Sequence, residues 1–192
     1  MKIHDKKIIW ITGGGSGIGS ELTKILANNG HKVIISGRKK IKLKKVSNLN
    51  PDLIKPFKVD IISEKQCKNV INQIYNKMDV IDVVILNAAA YNPGHIDFND
   101  MKSIKTVVDI NLIGQMNCLK FILPRMKEKK SGHIVFVSSP AGFRGLPNAG
   151  IYGVTKSALT FLSESLYIEL KKFDIKVQVI HPGFVKTPMT DK

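Results

Sequence analysis

Ile8-Ile9-Trp10-Ile11 runs directly into Thr12-Gly13-Gly14-Gly15-Ser16-Gly17-Ile18-Gly19, and this junction sets the architecture. The first four residues are apolar and mostly β-branched, with no polar alternation, which is the pattern of a strand covered on both faces. The glycines that follow let the backbone turn tightly and approach a pyrophosphate, whose charge meets N–H groups at the start of a helix. Such a run also suits an ordinary tight strand-to-helix turn. Its position at the first such junction favours a dinucleotide. Gly13, Gly17 and Gly19 make G-x-x-x-G-x-G, not G-x-G-x-x-G, and no Walker Lys-Ser/Thr follows.

Outward from this point the same alternation repeats. Lys7–Thr12, Lys32–Ser36, Ile54–Val59, Asp82–Leu86, His133–Ser138 and Lys176–His181 read as strands. Ile18–Asn28, Ile41–Leu49, Glu64–Lys77, Ser103–Lys129 and Tyr152–Lys171 read as helices between them. Alternating strands and helices predict an α/β fold, a doubly wound parallel sheet with right-handed crossovers and helices on both faces. With no repeat, low-complexity linker or composition break, residues 1–192 are expected to form a single domain.

The chain has 192 residues, 43% hydrophobic and 23% charged, a globular balance that disfavours disorder and fibrous repeats. No apolar run approaches the roughly 18–20 residues of a membrane span. The short apolar run after the first lysines predicts no secretory signal. Cys67 and Cys118 have no metal or redox spacing, so a reducing, cytoplasmic compartment is expected. His4, His31, His95 and His133 are scattered, and no metal set is expected. Net charge is +15, densest over Arg38-Lys39-Lys40-Ile41-Lys42-Leu43-Lys44-Lys45. That block has no interleaved aromatics for base stacking, and reads as a solvated helix face that attracts phosphate in preference to a nucleic-acid surface.

The glycine spacing resembles the phosphate loop of the short-chain dehydrogenase/reductase family, and the resemblance runs to the last residues of the chain. It implies a Rossmann-like sheet of about six strands in the order 3-2-1-4-5-6, with Gly13, Ser16, Gly17, Ile18 and Gly19 on the cofactor. The second strand ends at Ser36-Gly37-Arg38. Gly37 stands where NAD-preferring relatives carry Asp, whose carboxylate would bind the ribose diol and repel a 2′-phosphate. Arg38 can grip a phosphate bidentately, so NADP(H) is expected over NAD(H). The family's other basic position is Ser16 here, and Arg38 read alone is one of a run of surface cations. Asp60, with its neighbour Ile61, matches the family residue that accepts from the adenine amino group. Leu86-Asn87-Ala88-Ala89 resembles the family's Asn-Asn-Ala-Gly, departing at Leu86 and Ala89. Asn87 and Ala88 would line the cofactor, though Asn87 alone also reads as a strand-end cap. His181-Pro182-Gly183-Phe184-Val185-Lys186-Thr187 resembles the family's Pro-Gly turn. Pro182, Gly183, Val185 and Thr187 would fix the nicotinamide carboxamide, and His181 reads as a strand-end residue.

A hydride enzyme acting on an alcohol or ketone must also move a proton at the oxygen. A tyrosine does so if its pKa falls well below about 10. A cation about 5 Å away stabilises the phenolate by about 3 kcal/mol, roughly two pKa units. A lysine four residues on along a helix supplies that proximity. Y-x-x-x-K occurs at Tyr152–Lys156 and at Tyr167–Lys171. The copies lie about 22 Å apart on one helix, so they cannot share a site. Only the first has a serine in the family register: Ser139 stands thirteen positions before Tyr152, whereas Val154 stands thirteen before Tyr167. Tyr152 is thus the expected acid/base, with Lys156 lowering its pKa and holding the nicotinamide ribose, and Tyr167 is left to packing. Ser139 would orient the carbonyl or developing alkoxide, with Ser138 as its rival. Asn111 matches the family's fourth catalytic residue, which holds a water leading to the lysine. Read alone it is a helix-surface residue.

The resemblance implies an NADP(H)-dependent oxidoreductase that interconverts an alcohol and a ketone or aldehyde, with Tyr152 as general acid/base. One alternative is an NADP(H)-binding protein without turnover; another is a nucleic-acid-binding module using the basic face. An extended epimerase or dehydratase fits less well, because those relatives use another glycine spacing and a larger C-terminal domain. Relatives usually continue past the point matching Lys192 with a lid, a helix and a seventh strand, so strand six is expected at an open edge. The helices Ser103–Lys129 and Tyr152–Lys171 correspond to those that pair relatives, implying a homodimer or higher homo-oligomer. The expected partner is a small alcohol or carbonyl compound, with no specific nucleic acid and no membrane span. Tyr91–Met101 and Pro140–Gly150, the segments expected to shape its pocket, carry no Lys or Arg beyond Arg144.

Overall fold

The structure is a computed structural model and describes residues 6–78 and 80–190. His4 and Lys192, named above, lie outside the described residues. The strands β1 (Ile8–Thr12), β2 (Lys32–Gly37), β3 (Ile54–Lys58), β4 (Val83–Leu86), β5 (Gly132–Val137) and β6 (Ile175–Ile180) form one sheet. Its order is β3-β2-β1-β4-β5-β6, and every pairing is parallel. This is the expected doubly wound sheet, with β6 at one edge. β3 is the other edge, where Pro56, which has no N–H to donate, is tolerated.

Each strand feeds two cores. Trp10, Ile34, Val84, Ile134 and Phe136 face one side and meet α3 (Glu64–Met78), α5 (Gly114–Lys129) and α6 (Gly150–Leu170). Ile9, Ile11, Val33, Ile35 and Val135 face the other and meet α1 (Gly17–Asn28) and α2 (Lys40–Ser47). Both faces being covered explains why the strand sequences do not alternate. On α2, Leu43 and Val46 turn inward while Lys40, Lys42, Lys44 and Lys45 stay exposed, so the basic block is a solvated helix face. Among the described residues, no helix is long and apolar enough to cross a membrane.

Two local expectations are revised, and one contact was not foreseen. The stretch Ser103–Lys129 is not one helix: α4 (Met101–Val108) widens into a π turn over Asp109–Ile113 before α5 resumes. A π turn carries an extra residue, which here carries Ile110 and Asn111 into the interior. Tyr167 does not pack. It sits at the margin of the buried stripe of Leu159, Ser163 and Leu170 and is 56% exposed. Cys67 of α3 and Cys118 of α5 are distant in sequence, yet they meet thiol to thiol in the core, both free.

Trp10, the single tryptophan, is fully buried and donates from Nε1 to Ser36 Oγ at 3.0 Å. Ser36→Ala would leave that N–H without an acceptor, at a cost of about 1–3 kcal/mol. The loss is expected as a lower urea midpoint, read by the fluorescence shift of Trp10; an unchanged midpoint would show that another acceptor replaces Ser36.

Candidate functional site

Beyond the C-terminal ends of β1 and β4 the following chain segments leave in opposite directions, because the strand order reverses there. A polar seam closes the floor of the crevice. Thr12 Oγ1 accepts from Asn87 N at 3.0 Å and Ala88 N at 3.1 Å. Asn87 Nδ2 donates to Thr12 O at 2.9 Å. The strand-end reading of Asn87 is therefore correct: its amide fastens β4 to the start of the glycine loop. Gly13 has φ +73°, and a Cβ there would lie 3.0 Å from both Ala88 Cα and Asn87 Nδ2. At Gly19 a Cβ would fall 2.5 Å from Gly13 O, so this glycine serves the close approach of helix to loop.

The crevice is a cleft of about 670 Å³. Along its walls lie Gly13, Ser16, Gly17, Ile18, Arg38, Asp60, Ile61, Asn87, Ala88, Ser139, Tyr152, Lys156, Pro182, Gly183, Val185 and Thr187. Two other residues named from the sequence, Gly19 and Asn111, stand behind the walls. Ser16 precedes α1 in an extended conformation and makes no side-chain cap, leaving the first-turn N–H groups facing the cleft without one. Arg38 is joined there by Lys39 and Lys42. Asp60 sits nearby, its Oδ1 accepting from Ile62 N at 3.2 Å. A helix N-terminus open to the cleft, with cations beyond it, fits a dinucleotide carrying several phosphates. Lys42 lies on the first turn of α2, within the basic block noted in the sequence. Thr12 opens the glycine-rich stretch, but no role was read for its side chain.

At the other end, Tyr152 occupies the first turn of α6 and lines the cleft with Ser139. Ser139 Oγ accepts from Ala141 N at 3.2 Å. Ser138 is buried and committed elsewhere, donating to Lys156 O at 2.9 Å and lying 3.1 Å from Thr160 Oγ1. The two serines are thus separated by their partners. Lys156 is 2% exposed; its Nζ donates to Val137 O at 2.7 Å and lies 5.3 Å from the centroid of the Tyr152 ring. Burial pushes its pKa down to about 8.

The expected acidification of Tyr152 is not what the protein groups produce. Burial pushes the phenol above its ordinary value, the Ser139 hydrogen bond pulls it back, and Tyr91 raises it further. Desolvation of the phenolate is the largest of these influences.

Asn111 is fully buried, which corrects its helix-surface reading. Its Oδ1 accepts from Ala90 N at 2.6 Å; its Nδ2 donates to Ala90 O at 2.9 Å and Thr155 Oγ1 at 3.0 Å. Thr155 in turn donates to Tyr152 O at 2.7 Å. Asn111 therefore ties the loop after β4 to the helix that carries Tyr152 and Lys156. Gln115 does similar work one turn on, its Nε2 donating to Ala88 O at 2.5 Å. Neither Thr155 nor Gln115 carried a sequence signal. His181 follows β6, 3.1 Å from Thr160 Oγ1 and against the Phe143 ring, in agreement with its strand-end reading.

The depressed pKa of Lys156 has a consequence for stability. An unfolded chain binds more protons than the folded one between about 8 and the ordinary lysine value of 10.5, so stability from this group rises with pH across that window. Below it, the buried charge is a burden. Lys156→Met is expected to be more stable than the parent at pH 7 by about 1–3 kcal/mol, with the gap closing as pH climbs. Urea unfolding across pH 7–10 checks this, and a variant that is weaker at pH 7 would refute it.

The family model described as short chain dehydrogenase matches residues 7–192. An uncharacterised oxidoreductase of Staphylococcus aureus (strain MRSA252) is 32% identical over 191 residues, covering 99% of this chain and 83% of that protein. The structure of 3-ketoacyl-(acyl-carrier-protein) reductase from Brucella melitensis complexed with NADH superposes with TM-score 0.93 at 26% identity, covering 96% of this chain and 78% of that one. ElxO with NADP bound superposes with TM-score 0.89 at 29% identity, covering 97% and 77%. The crevice at the strand-order reversal, the glycine loop and the match along nearly the whole chain together make this protein a member of the short-chain dehydrogenase family of oxidoreductases.

Proposed function

We propose that residues 1–192 act as one NAD(P)-binding and catalytic domain, an NADP(H)-dependent oxidoreductase that interconverts an alcohol and a ketone or aldehyde. The observation that carries this reading is the presence of Tyr152 and Ser139 together on the cleft wall, with the buried Lys156 ammonium 5.3 Å from the centroid of the phenol ring. The open N-terminus of α1 and the loop Gly13–Gly19 hold the pyrophosphate. Arg38, helped by Lys39 and Lys42, holds the 2′-phosphate, and Asp60 and Ile61 border the adenine. Asn87 and Ala88 line the middle of the cofactor; Pro182, Gly183, Val185 and Thr187 take the carboxamide. The nicotinamide, when bound, supplies or accepts the hydride.

The chain's own residues then manage the proton. In reduction the Tyr152 hydroxyl gives its proton to the carbonyl oxygen, and in oxidation the phenolate takes one from the alcohol. Ser139 hydrogen-bonds the same oxygen as its negative charge grows. Lys156 stabilises the phenolate once it forms and holds the nicotinamide ribose. Asn111 keeps the helix bearing this pair in register and, as in the family, lies on the water route to Lys156. The two free thiols suit a reducing, cytoplasmic setting. Val154, Phe161 and Ile168, exposed along α6, suit pairing with a second copy of the chain.

Two measurements test the reading. NADPH oxidation against a panel of carbonyl compounds is expected to fall about 10²–10⁴-fold in Tyr152→Phe, with NADPH binding retained. Binding without any Tyr152-dependent turnover would instead mark a cofactor-binding protein. Arg38→Ala is expected to raise the KM for NADPH about 10–100-fold, the worth of a charge-assisted hydrogen bond, while leaving NADH nearly unchanged. Equal effects on both cofactors would remove the claimed 2′-phosphate contact.

A further inference from the structure

We infer that the reacting end of the cleft takes an uncharged carbonyl compound with an apolar body, and that Tyr91 selects it by presenting a fixed ring beside Tyr152. This rests on the oxidoreductase reading above. The charges of the cleft lie at one end. Arg38, Lys39, Lys42 and Asp60 follow β2 and β3, whereas Ser139 and Tyr152 belong to the β5 side. Three strand spacings, about 14 Å, separate β2 from β5. Tyr91 stands against Tyr152, and the cleft is also lined by Pro140, Leu146, Pro147, Phe184 and Met189. Among the described residues that line the cleft, Lys156 is the only cation outside the group Arg38, Lys39 and Lys42, and it is buried with its ammonium on Val137 O. A carboxylate or phosphate on the substrate would lose its water and meet no accessible counter-charge, which is costly.

Tyr91 is held in place from two sides. Its ring centroid lies 4.9 Å from that of Tyr152, at an interplanar angle of 56°. Its hydroxyl donates to Asn148 O at 3.3 Å, and Gly94 N donates to the same carbonyl at 3.2 Å. Asn148 itself is in the left-handed region, φ 60°, which turns that carbonyl toward both donors. Ile96 packs directly on Gly150, where a Cβ would have no room. Residues 91–96 are thereby clasped to the loop that starts α6. Since the Tyr91 hydroxyl is occupied by backbone, the residue offers the substrate a flat apolar surface rather than a second proton donor. It is a specificity and positioning residue.

Acetophenone and 4-acetylbenzoate differ by one carboxylate and serve as the probe pair, each reduced with NADPH by the full chain. The parent is expected to show at least 10-fold higher kcat/KM for acetophenone. Tyr91→Ala should lower that value at least 10-fold, mainly through KM, with the Kd for NADPH within two-fold of the parent; Tyr91→Phe, which keeps the ring, should stay close to the parent. If Tyr91→Ala does not fold, Tyr91→Leu takes its place. Equal or better use of 4-acetylbenzoate, or a Tyr91 variant that loses only kcat, would overturn the inference. Absence of Tyr152-dependent turnover on any carbonyl would sink the oxidoreductase reading on its own. The selectivity is then decided by saturation-transfer NMR of the two ketones with the NADP⁺-bearing protein: preference for acetophenone supports it, and any other result rejects it.

Discussion

Two parallel strands that end side by side and then send their chains apart leave main-chain groups exposed at the bottom of a crevice. Here that problem is solved by Thr12 and Asn87. The threonine hydroxyl takes the N–H groups of Asn87 and Ala88, and the Asn87 amide returns a bond to Thr12 O. Each of these groups would otherwise pay for desolvation without a partner. The fastening also presets the glycine loop, because Gly13 sits against Asn87 Nδ2 and Gly19 sits against Gly13 O. The cleft's shape therefore precedes any ligand.

The other half of the cleft is held by polar contacts as well as by apolar packing. α6 is anchored at Lys156 O by Ser138, at Thr155 by Asn111, and through the Lys156 ammonium to Val137 O. The π turn belongs to this network: it brings Asn111 to Ala90 and Thr155 at once. Directional bonds of this kind fix a helix in rotation and in register, where apolar contacts alone would allow slip. They also exact a cost, since an ammonium is kept out of water. The same burial explains why Tyr152 is less acidic than its lysine neighbour would suggest.

Charge is divided along the cleft. The basic block that dominates the sequence is mostly solvated on α2, and only Arg38, Lys39 and Lys42 reach the cleft wall. Beyond the seam, Tyr91 stands against Tyr152, and Lys156 is buried. A single cavity thus offers a strongly cationic end for phosphates and an apolar end for chemistry, which suits a polyanionic cofactor meeting a neutral reactant.

What could be read from residue order alone was whatever depends on local backbone and periodicity. The β-branched runs mark strands because both faces are covered, and the glycine loop marks the crevice because only that spacing lets helix and loop approach. Tyr152, Lys156 and Ser139 followed from register along one helix and one strand end, in the light of the family resemblance. Other features were decided by residues far apart in sequence. Ser138 was separated from Ser139 only by its bond to Lys156 O, and Asn111 moved from helix surface to interior through Ala90 and Thr155. Cys67 met Cys118 because α3 packs on α5, and the expected acidity of Tyr152 reversed because burial disfavours its phenolate. Periodicity is a property of the chain, whereas desolvation and hydrogen-bond partnership exist only once the chain has closed on itself.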